Sequence, residues 1–313
     1  MDAQPVRLTD PPPPSPVELG AVVGLHDDAL HDEIDRALGL GLQHVRLTVS
    51  WARAQPRAGT LAGDVVERVL AAARTLRAGG VCVWMCLLSP DVPTWFDNEG
   101  GFTDDRFAGH WWPRWVETAA SAFGDDVDGW VPFEAPFAMM RRLAPDDARV
   151  QGEVMSTLTV AWRDAWRILH GPVPVATSLD VRTVRIPVDD VVAAAWARRE
   201  DHLRWRTWLR ALSDGMVTVP GRSDREVADL AGACDQLGIA VSGTGVGDLE
   251  ALLHRVAEQG PEQPLALTFR PLGPDLDARA EAVDDVRSFA TRAVAHLPLK
   301  RLTFTDAEAL ARA

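Results

Sequence analysis

The chain has 313 residues, of which 47% are hydrophobic and 25% are charged, and its net charge at pH 7 is −13. This length and composition are typical of a globular protein with a sizeable core, in one large domain or two average ones. The acidic charge argues against a nucleic-acid partner or an anionic membrane, because both attract a basic face.

The N-terminal residues 1–17 are predicted to form a proline-rich tail outside the core. Pro11 to Pro14 and Pro16 favour an extended polyproline conformation. The segment lacks the basic and apolar regions of a secretory signal, and no apolar stretch of the chain has the length of a membrane span. Three cysteines without a paired framework predict buried, reduced thiols: Cys82, Cys86 and Cys234. We therefore expect a cytoplasmic protein.

Short β-rich runs alternate with amphipathic helical stretches along the rest of the chain. The predicted strands are Leu19–Gly24, Val45–Val49, Val81–Leu88, a run at Trp130, Val173–Leu179, Leu237–Val241, Pro264–Phe269 and Leu302–Phe304. The predicted helices are Leu30–Leu40, Val65–Leu76, Trp111–Phe123, Met155–Leu169, Ala193–Leu212, Leu249–Glu258 and Ala280–Leu297. Eight alternations without an internal linker predict an α/β fold, a single (β/α)₈ TIM barrel over residues 18–313.

A doubly wound open sheet is the alternative fold, and it usually carries a glycine-rich phosphate loop. The best candidate for such a loop is the segment Gly243 to Gly247, which reads Gly-Thr-Gly-Val-Gly after a predicted strand. It has neither the lysine nor the properly spaced third glycine of a phosphate-binding motif. We interpret it as a cluster of loop glycines, which leaves the barrel as the predicted fold.

Residues 130–136 read Trp-Val-Pro-Phe-Glu-Ala-Pro, a short apolar run that ends on a carboxylate beside a proline. This segment resembles the fourth-strand motif Trp-x-x-x-Asn-Glu-Pro of glycoside hydrolase family 1, the β-glucosidase family. Five more segments are similar to the family in the same order: Val45–Arg53, Leu88–Pro93, Gly100–Phe102, Asp235–Ile239 and Leu265–Thr268. The resemblance implies a barrel with its site at the C-terminal ends of the strands, and the shorter chain implies shortened barrel-top loops.

Both catalytic glutamates of the family are absent in this register. A retaining glycosidase uses two carboxyl groups about 5–5.5 Å apart, one as acid/base and one as nucleophile. Ala135 stands at the acid/base position and Phe269 at the nucleophile position, and neither side chain can perform that chemistry. The resemblance therefore implies a degenerate member, a pseudo-glycosidase or repurposed pocket that binds a small sugar-like or anionic molecule without a cofactor or metal.

Arg46 resembles the family arginine that pairs with the nucleophile, and a buried guanidinium without a partner would be destabilising. Two partners are open. One is Glu134, which stands at the family's asparagine position. The other is an anionic ligand, helped by Arg270. Predicted positions at neighbouring strand ends favour the internal pair, and such a pair would indicate a rebuilt pocket.

Other polar or aromatic residues near predicted strand ends complete the candidate site. The candidate ligand-binding residues are Arg46, Ser89, Trp95, Asp180, Phe269, Arg270 and Asp306. In an enzyme of altered chemistry, Glu134 would be the general acid/base, assisted by His26 or Asp91. Asp91 could equally cap a loop, Asp180 could begin a helix, and His26 could be an exposed histidine in an acidic loop. A structural or partner-binding protein is the third functional hypothesis.

Overall fold

The computed structural model describes residues 16–24, 30–89 and 91–313, and within them eight parallel strands form one sheet. The strands are β1 (Glu18–Gly24), β2 (His44–Thr48), β3 (Cys82–Cys86), β4 (Gly129–Val131), β5 (Leu179–Asp180), β6 (Leu237–Ser242), β7 (Leu265–Arg270) and β8 (Leu299–Phe304). Their order in the sheet is β4-β3-β2-β1-β8-β7-β6-β5. This order brings β4 and β5 to the two edges, which meet as the barrel closes, and it confirms the predicted α/β TIM barrel.

The seam between β4 and β5 closes through an irregular segment and not through a full ladder. The Trp130 N–H donates to the Pro174 carbonyl at 2.9 Å, and the Ala176 N–H donates to the Trp130 carbonyl at 2.8 Å. The predicted strand Val173–Leu179 is therefore shorter than expected, and only Leu179–Asp180 pairs regularly with β6. Pro174 contributes to the irregularity, because proline has no N–H to donate to a ladder.

Thr177 replaces part of the missing ladder with its side chain. Its hydroxyl accepts from the Gly238 N–H at 2.7 Å and donates to the Gly238 carbonyl at 2.8 Å. The segments approach so closely that a Cβ atom at position 238 would lie 1.8 Å from the Thr177 carbonyl oxygen. Glycine is thus required at position 238, where two backbones meet.

Twelve α-helices lie in the described part of the chain and surround the sheet. They are α1 (Leu30–Gly39), α2 (Trp51–Ala54), α3 (Gly63–Ala78), α4 (Thr94–Asn98), α5 (Asp105–Phe123), α6 (Pro136–Leu143), α7 (Ala148–Leu169), α8 (Val191–Asp201), α9 (Thr207–Asp214), α10 (Val246–Gln259), α11 (Leu276–Ala293) and α12 (Ala307–Arg312). The predicted helix Ala193–Leu212 is α8 and α9 joined by a π-helical turn, His202–Arg206. A short hairpin follows, formed by Met216–Val217 and Arg225–Glu226. The predicted tail falls outside the described residues except at positions 16 and 17.

Aspartates are the N-cap residues of five of these helices, so part of the chain's acidic content has a structural role. Each accepts hydrogen bonds from backbone N–H groups of the first turn, as N-cap aspartates usually do. The five are Asp104, Asp147, Asp190, Asp275 and Asp306. The connections from the last three strands into their helices are short, comprising residues 243–245, 271–275 and 305–306, in line with the predicted trimming of the barrel top.

The interior of the barrel combines buried polar side chains with a small apolar cluster of Trp84, Cys86, Val131 and Ala176. The Arg301 guanidinium lies 3.3 Å from the centre of the Trp84 ring, and its Nε donates to Gln236 Oε1 at 2.7 Å. His44 Nε2 lies 2.8 Å from the Thr303 hydroxyl. Burial, with a contribution from nearby arginines, lowers the pKa of His44 to about 3, so this imidazole is neutral at physiological pH.

The tryptophans that follow β2 and β3 form an aromatic cluster beneath the barrel top. Trp51 stacks on Trp115 at 5.7 Å between ring centres and contacts Trp112 and Phe96 edge-on or tilted. All four are fully buried, so these rings serve to pack the helices against the barrel. No helix in the described residues has both the length and the apolarity to cross a bilayer.

The three cysteines are free thiols, as predicted, but only two of them are buried. Burial raises the pKa of Cys86 and of Cys234 to about 12, so neither is a reactive thiolate at neutral pH. Cys82 is exposed, which corrects the prediction of three buried thiols. Cys82 is the first residue of β3 and lies at the N-terminal rim of the barrel, whereas Cys86 lies at the buried C-terminal end of the same strand.

Candidate site at the barrel mouth

Glu134 and Arg46 form an ion pair at the C-terminal end of the barrel. Arg46 Nη2 on β2 donates to Glu134 Oε2 at 2.8 Å, and the predicted internal pair is thereby confirmed. The other carboxylate oxygen, Oε1, accepts from the Ser89 hydroxyl at 2.9 Å. The Arg46 side chain is 6% exposed and that of Glu134 is 21% exposed, so the carboxylate is the more accessible partner.

Arg46 also connects this pair to the far side of the barrel. Its Nη1 lies 3.2 Å from the Thr268 hydroxyl on β7 and 3.5 Å from the Ser178 hydroxyl just before β5. Within the described residues, its buried Nε has no hydrogen-bond acceptor. Arg46, Glu134, Ser89, Thr268 and Ser178 therefore form one connected polar group, called the mouth cluster below.

Ala135 follows Glu134 in a left-handed backbone conformation, with φ 50° and ψ 56°. Its N–H donates to the Ser178 carbonyl at 2.8 Å, which holds this turn against the seam. Pro136 then begins α6, as is common for the first residue of a helix. A left-handed alanine is an unusual, mildly strained choice, and it marks the turn that aims Glu134.

Asp180 caps α6, and the structure gives it no contact with the mouth cluster. Its two carboxylate oxygens accept from the N–H groups of Phe137 and Ala138, each at 2.9 Å, and Arg204 Nη1 lies 3.4 Å from Oδ2. Burial raises the pKa of Asp180 to about 6, against the opposing effect of Arg204 and the backbone donors. These contacts give the carboxylate a capping role, which is the alternative left open for it, and ligand binding by Asp180 stays a prediction.

Phe269 faces away from the mouth, which corrects its predicted place in the ligand site. It is 1% exposed, belongs to the apolar core, and packs edge-on against Phe304 at 6.2 Å. Successive residues of a strand point to opposite faces, and it is the preceding Thr268 that contacts Arg46. The side chain beside the Arg46 guanidinium on β7 is therefore a hydroxyl.

Asp306 and Arg270 lie in a separate surface depression of about 480 Å³ beyond β7 and β8. Asp306 caps α12 through the Ala309 N–H and accepts from Arg279 Nε at 2.8 Å, so it also has a structural role. Arg270 is exposed and forms no ion pair with a described residue. Within the described residues, neither side chain forms a hydrogen bond or ion pair with the mouth cluster.

The remaining predicted residues divide between packing and solvent. The Trp95 Nε1 donates to the Gln55 carbonyl at 3.0 Å, and its ring packs against Trp51 and Trp111, so the aromatic cluster accounts for its position. Asp91 is exposed and makes no hydrogen bond to any other described residue. His26 lies outside the described residues, and its predicted assisting role stays a prediction.

Two members of the mouth cluster, Thr268 and Ser178, were not predicted from the sequence. Strand alternation alone could have found Thr268, because it shares the inward face of β7 with Ala266 and Arg270. Ser178 lies in the irregular seam, where alternation gives no reliable signal. The described residues contain one group of three potential metal ligands, and it lies outside the mouth cluster.

The cluster supplies a binding surface with one carboxylate. No second carboxylate is bonded to it within the described residues, and both oxygens of Glu134 already accept hydrogen bonds. The arrangement can hold polar groups through the Glu134 carboxylate and the Ser89 hydroxyl.

No protein-family model matches the chain, but solved structures do. A β-glycosidase from Pyrococcus horikoshii matches with a TM-score of 0.78 and 16% identity, over 89% of this chain and 74% of that one. The virulence factor SghA from Agrobacterium tumefaciens matches with a TM-score of 0.77 and 12% identity, over 93% of this chain and 88% of that one. The GH1 β-glucosidase from Exiguobacterium antarcticum B7 has a TM-score of 0.72 and 14% identity, with 92% and 87% covered. The chain therefore has the TIM-barrel fold of GH1 β-glucosidases.

Proposed function

We propose that this protein is a pseudo-glycosidase, a β-glucosidase-like barrel that has lost the two-carboxylate chemistry and binds a small polyhydroxylated molecule at the mouth cluster. The observation that supports the proposal is that both carboxylate oxygens of Glu134 accept hydrogen bonds, one from Arg46 and one from Ser89. Hydrolysis by the retaining route needs a proton donor and a separate nucleophile, and this cluster offers one ion-paired carboxylate.

The charge balance of the cluster favours a neutral, sugar-like ligand over an anionic one. Glu134 already compensates the Arg46 guanidinium, so an anion would have to displace it or lie beside a like charge. A sugar hydroxyl can donate to a lone pair that remains on the carboxylate and accept from the Ser89 hydroxyl. The 21% exposure of the Glu134 side chain leaves room for that contact.

The test is a paired assay of hydrolysis and binding on purified, untagged protein. A panel of aryl β-glycosides is incubated with the wild type, Glu134→Gln and a catalytically intact β-glucosidase, and binding of neutral monosaccharides and of acetate or phosphate is measured by calorimetry. We expect no turnover, binding of at least one neutral sugar by the wild type, and loss of that binding in Glu134→Gln. Glu258→Gln, an exposed change on α10, is the matched control.

Two outcomes would overturn the proposal. Turnover by the wild type that disappears in Glu134→Gln would make Glu134 a working general acid/base and the protein an enzyme of altered chemistry. Absence of both turnover and sugar binding in a folded protein would leave the structural or partner-binding hypothesis. Circular dichroism of each variant separates loss of the site from loss of the fold.

A further inference from the structure

A group of two histidines and one glutamate lies on the outer helical layer of the barrel. Glu250 and His254 are four residues apart on α10, so they occupy the same face on consecutive turns. His296 comes from the turn that leads from α11 into β8. One potential ligand atom from each residue lies within 4.8 Å of those of the other two, and all three residues are exposed.

The three side chains contact one another as well as solvent. His296 Nε2 lies 3.5 Å from Glu250 Oε1, and the two imidazole rings are nearly parallel with centres 5.7 Å apart. Two ligands bonded to one tetrahedral ion at roughly 2.0–2.2 Å lie about 3.4 Å from each other, so the His296–Glu250 separation already fits, and the separations from His254, which are within 4.8 Å, would have to shorten by at most about 1.4 Å. Side chains that are 45% and 48% exposed, as in His296 and Glu250, can make that movement without repacking a core.

The donor set selects a class of metal. Imidazole nitrogens suit zinc, copper, nickel and iron, whereas magnesium and calcium prefer oxygen ligands only. Two imidazoles and one carboxylate are a known zinc set, with the fourth position open to water. We propose that Glu250, His254 and His296 bind a divalent transition metal of the zinc type, and that the ion ties α10 to the turn before β8.

Such an ion would act on the fold and not on the mouth cluster. The ligands come from two elements that are far apart in sequence and belong to successive strand–helix units, so binding restrains one unit against the next. A metal that binds the folded protein but not the unfolded chain raises the free energy of unfolding in proportion to the logarithm of its concentration. The thermal unfolding midpoint should therefore rise with added zinc.

The test uses zinc chloride and the full, untagged chain at neutral pH. Calorimetry should give one zinc ion per chain, and the unfolding midpoint should rise with zinc concentration. The double variant His254→Ala/His296→Ala should lose both effects, and Glu250→Gln should weaken zinc binding by at least about tenfold, since each protein ligand adds to affinity. His110→Ala, which removes an exposed histidine on α5, is the matched control and should bind as the wild type does.

Substitution with cobalt distinguishes this site from the exposed Cys82 thiol. The cobalt complex should show ligand-field bands without the thiolate charge-transfer band in the near ultraviolet. Zinc binding that persists in a folded double variant, a thiolate band, or no binding by the wild type would each overturn the proposal. All three substituted side chains are exposed, so the variants should fold, and circular dichroism checks that they do.

Discussion

The Arg46 guanidinium and the Glu134 carboxylate meet at 2.8 Å, and the pair joins the second strand to the exit of the fourth. The arginine is the more buried partner, which makes the two halves of the pair unequal. Removing the carboxylate leaves a buried cation without compensation, whereas removing the cation leaves a carboxylate that retains Ser89 and access to water. The two losses should therefore destabilise the protein by different amounts, which unfolding measurements can detect.

We expect Glu134→Gln to reduce the free energy of unfolding by about 3 kcal/mol, near the lower end of the range for breaking a buried pair because Glu134 is partly exposed. Arg46→Met should reduce it by about 2 kcal/mol. The double variant should be no less stable than Glu134→Gln alone, which corresponds to a coupling energy of at least about 2 kcal/mol. Urea unfolding of the four proteins gives these values. Strictly additive losses would show that the pair contributes little.

A carboxylate introduced on β7 should be tolerated at one position and not at its neighbour. Thr268→Glu places the new charge near Arg46, whose Nη1 lies 3.2 Å from the present hydroxyl, so we expect a folded protein. Phe269→Glu buries an unpaired charge against Phe304 in the apolar layer and should reduce stability by roughly 4 kcal/mol or more. Soluble yield and urea unfolding distinguish the two. Equal stability of both variants would contradict the orientation of β7.

Gly238→Ala should disrupt the barrel seam. The added methyl group would lie 1.8 Å from the Thr177 carbonyl oxygen, so the two backbones would have to separate, and we expect a loss of more than about 3 kcal/mol. Gly247→Ala on α10 is the control, because nothing lies within 4 Å of its added methyl group. That change should be neutral or stabilise the helix by about 0.5–1 kcal/mol. A Gly238→Ala protein as stable as the wild type would mean that the seam is looser than described.

His44 should make stability depend on pH below neutrality. Its folded-state pKa of about 3 lies below the ordinary histidine value of 6.5, so the unfolded chain binds the proton more readily. The contribution of neutral His44 to the free energy of unfolding is complete above pH 6.5. It falls as the pH is lowered, and the loss reaches about 2 kcal/mol at pH 5. Asp180, with a folded-state pKa raised to about 6, acts in the opposite direction between pH 6 and 4.

The difference between wild type and His44→Gln isolates the histidine from Asp180. We expect the wild type to lose more stability than the variant when urea unfolding is repeated at about pH 7.5, 6 and 5. Both proteins carry Asp180, so its effect cancels in the comparison. If the unfolding free energies of the two proteins changed with pH by the same amount, the pKa of His44 would be the same in the folded and unfolded states.

The alternation of strand and helix patterns was sufficient to predict the barrel, because each pattern reflects a local period. The Arg46–Glu134 pair could also be predicted, since both residues were placed at neighbouring strand ends. Phe269 was misplaced by the resemblance, because neighbouring residues of a strand face opposite sides of the sheet and the inward residue is Thr268. Asp180 and Asp306 look identical in sequence whether they bind a ligand or cap a helix, and only their backbone partners distinguish the two roles.

The irregular seam between β4 and β5 is the place where the barrel should open locally most often. Three backbone bonds replace a full ladder between β4 and the segment that leads into β5, so local opening should need less free energy there than between β1 and β2. The amide hydrogens of Trp130 and Ala176 should then exchange with solvent sooner than those of the other strands. Ser178 belongs both to this line and to the mouth cluster, so a molecule bound over Glu134 would slow that exchange and be detectable without any chemical turnover.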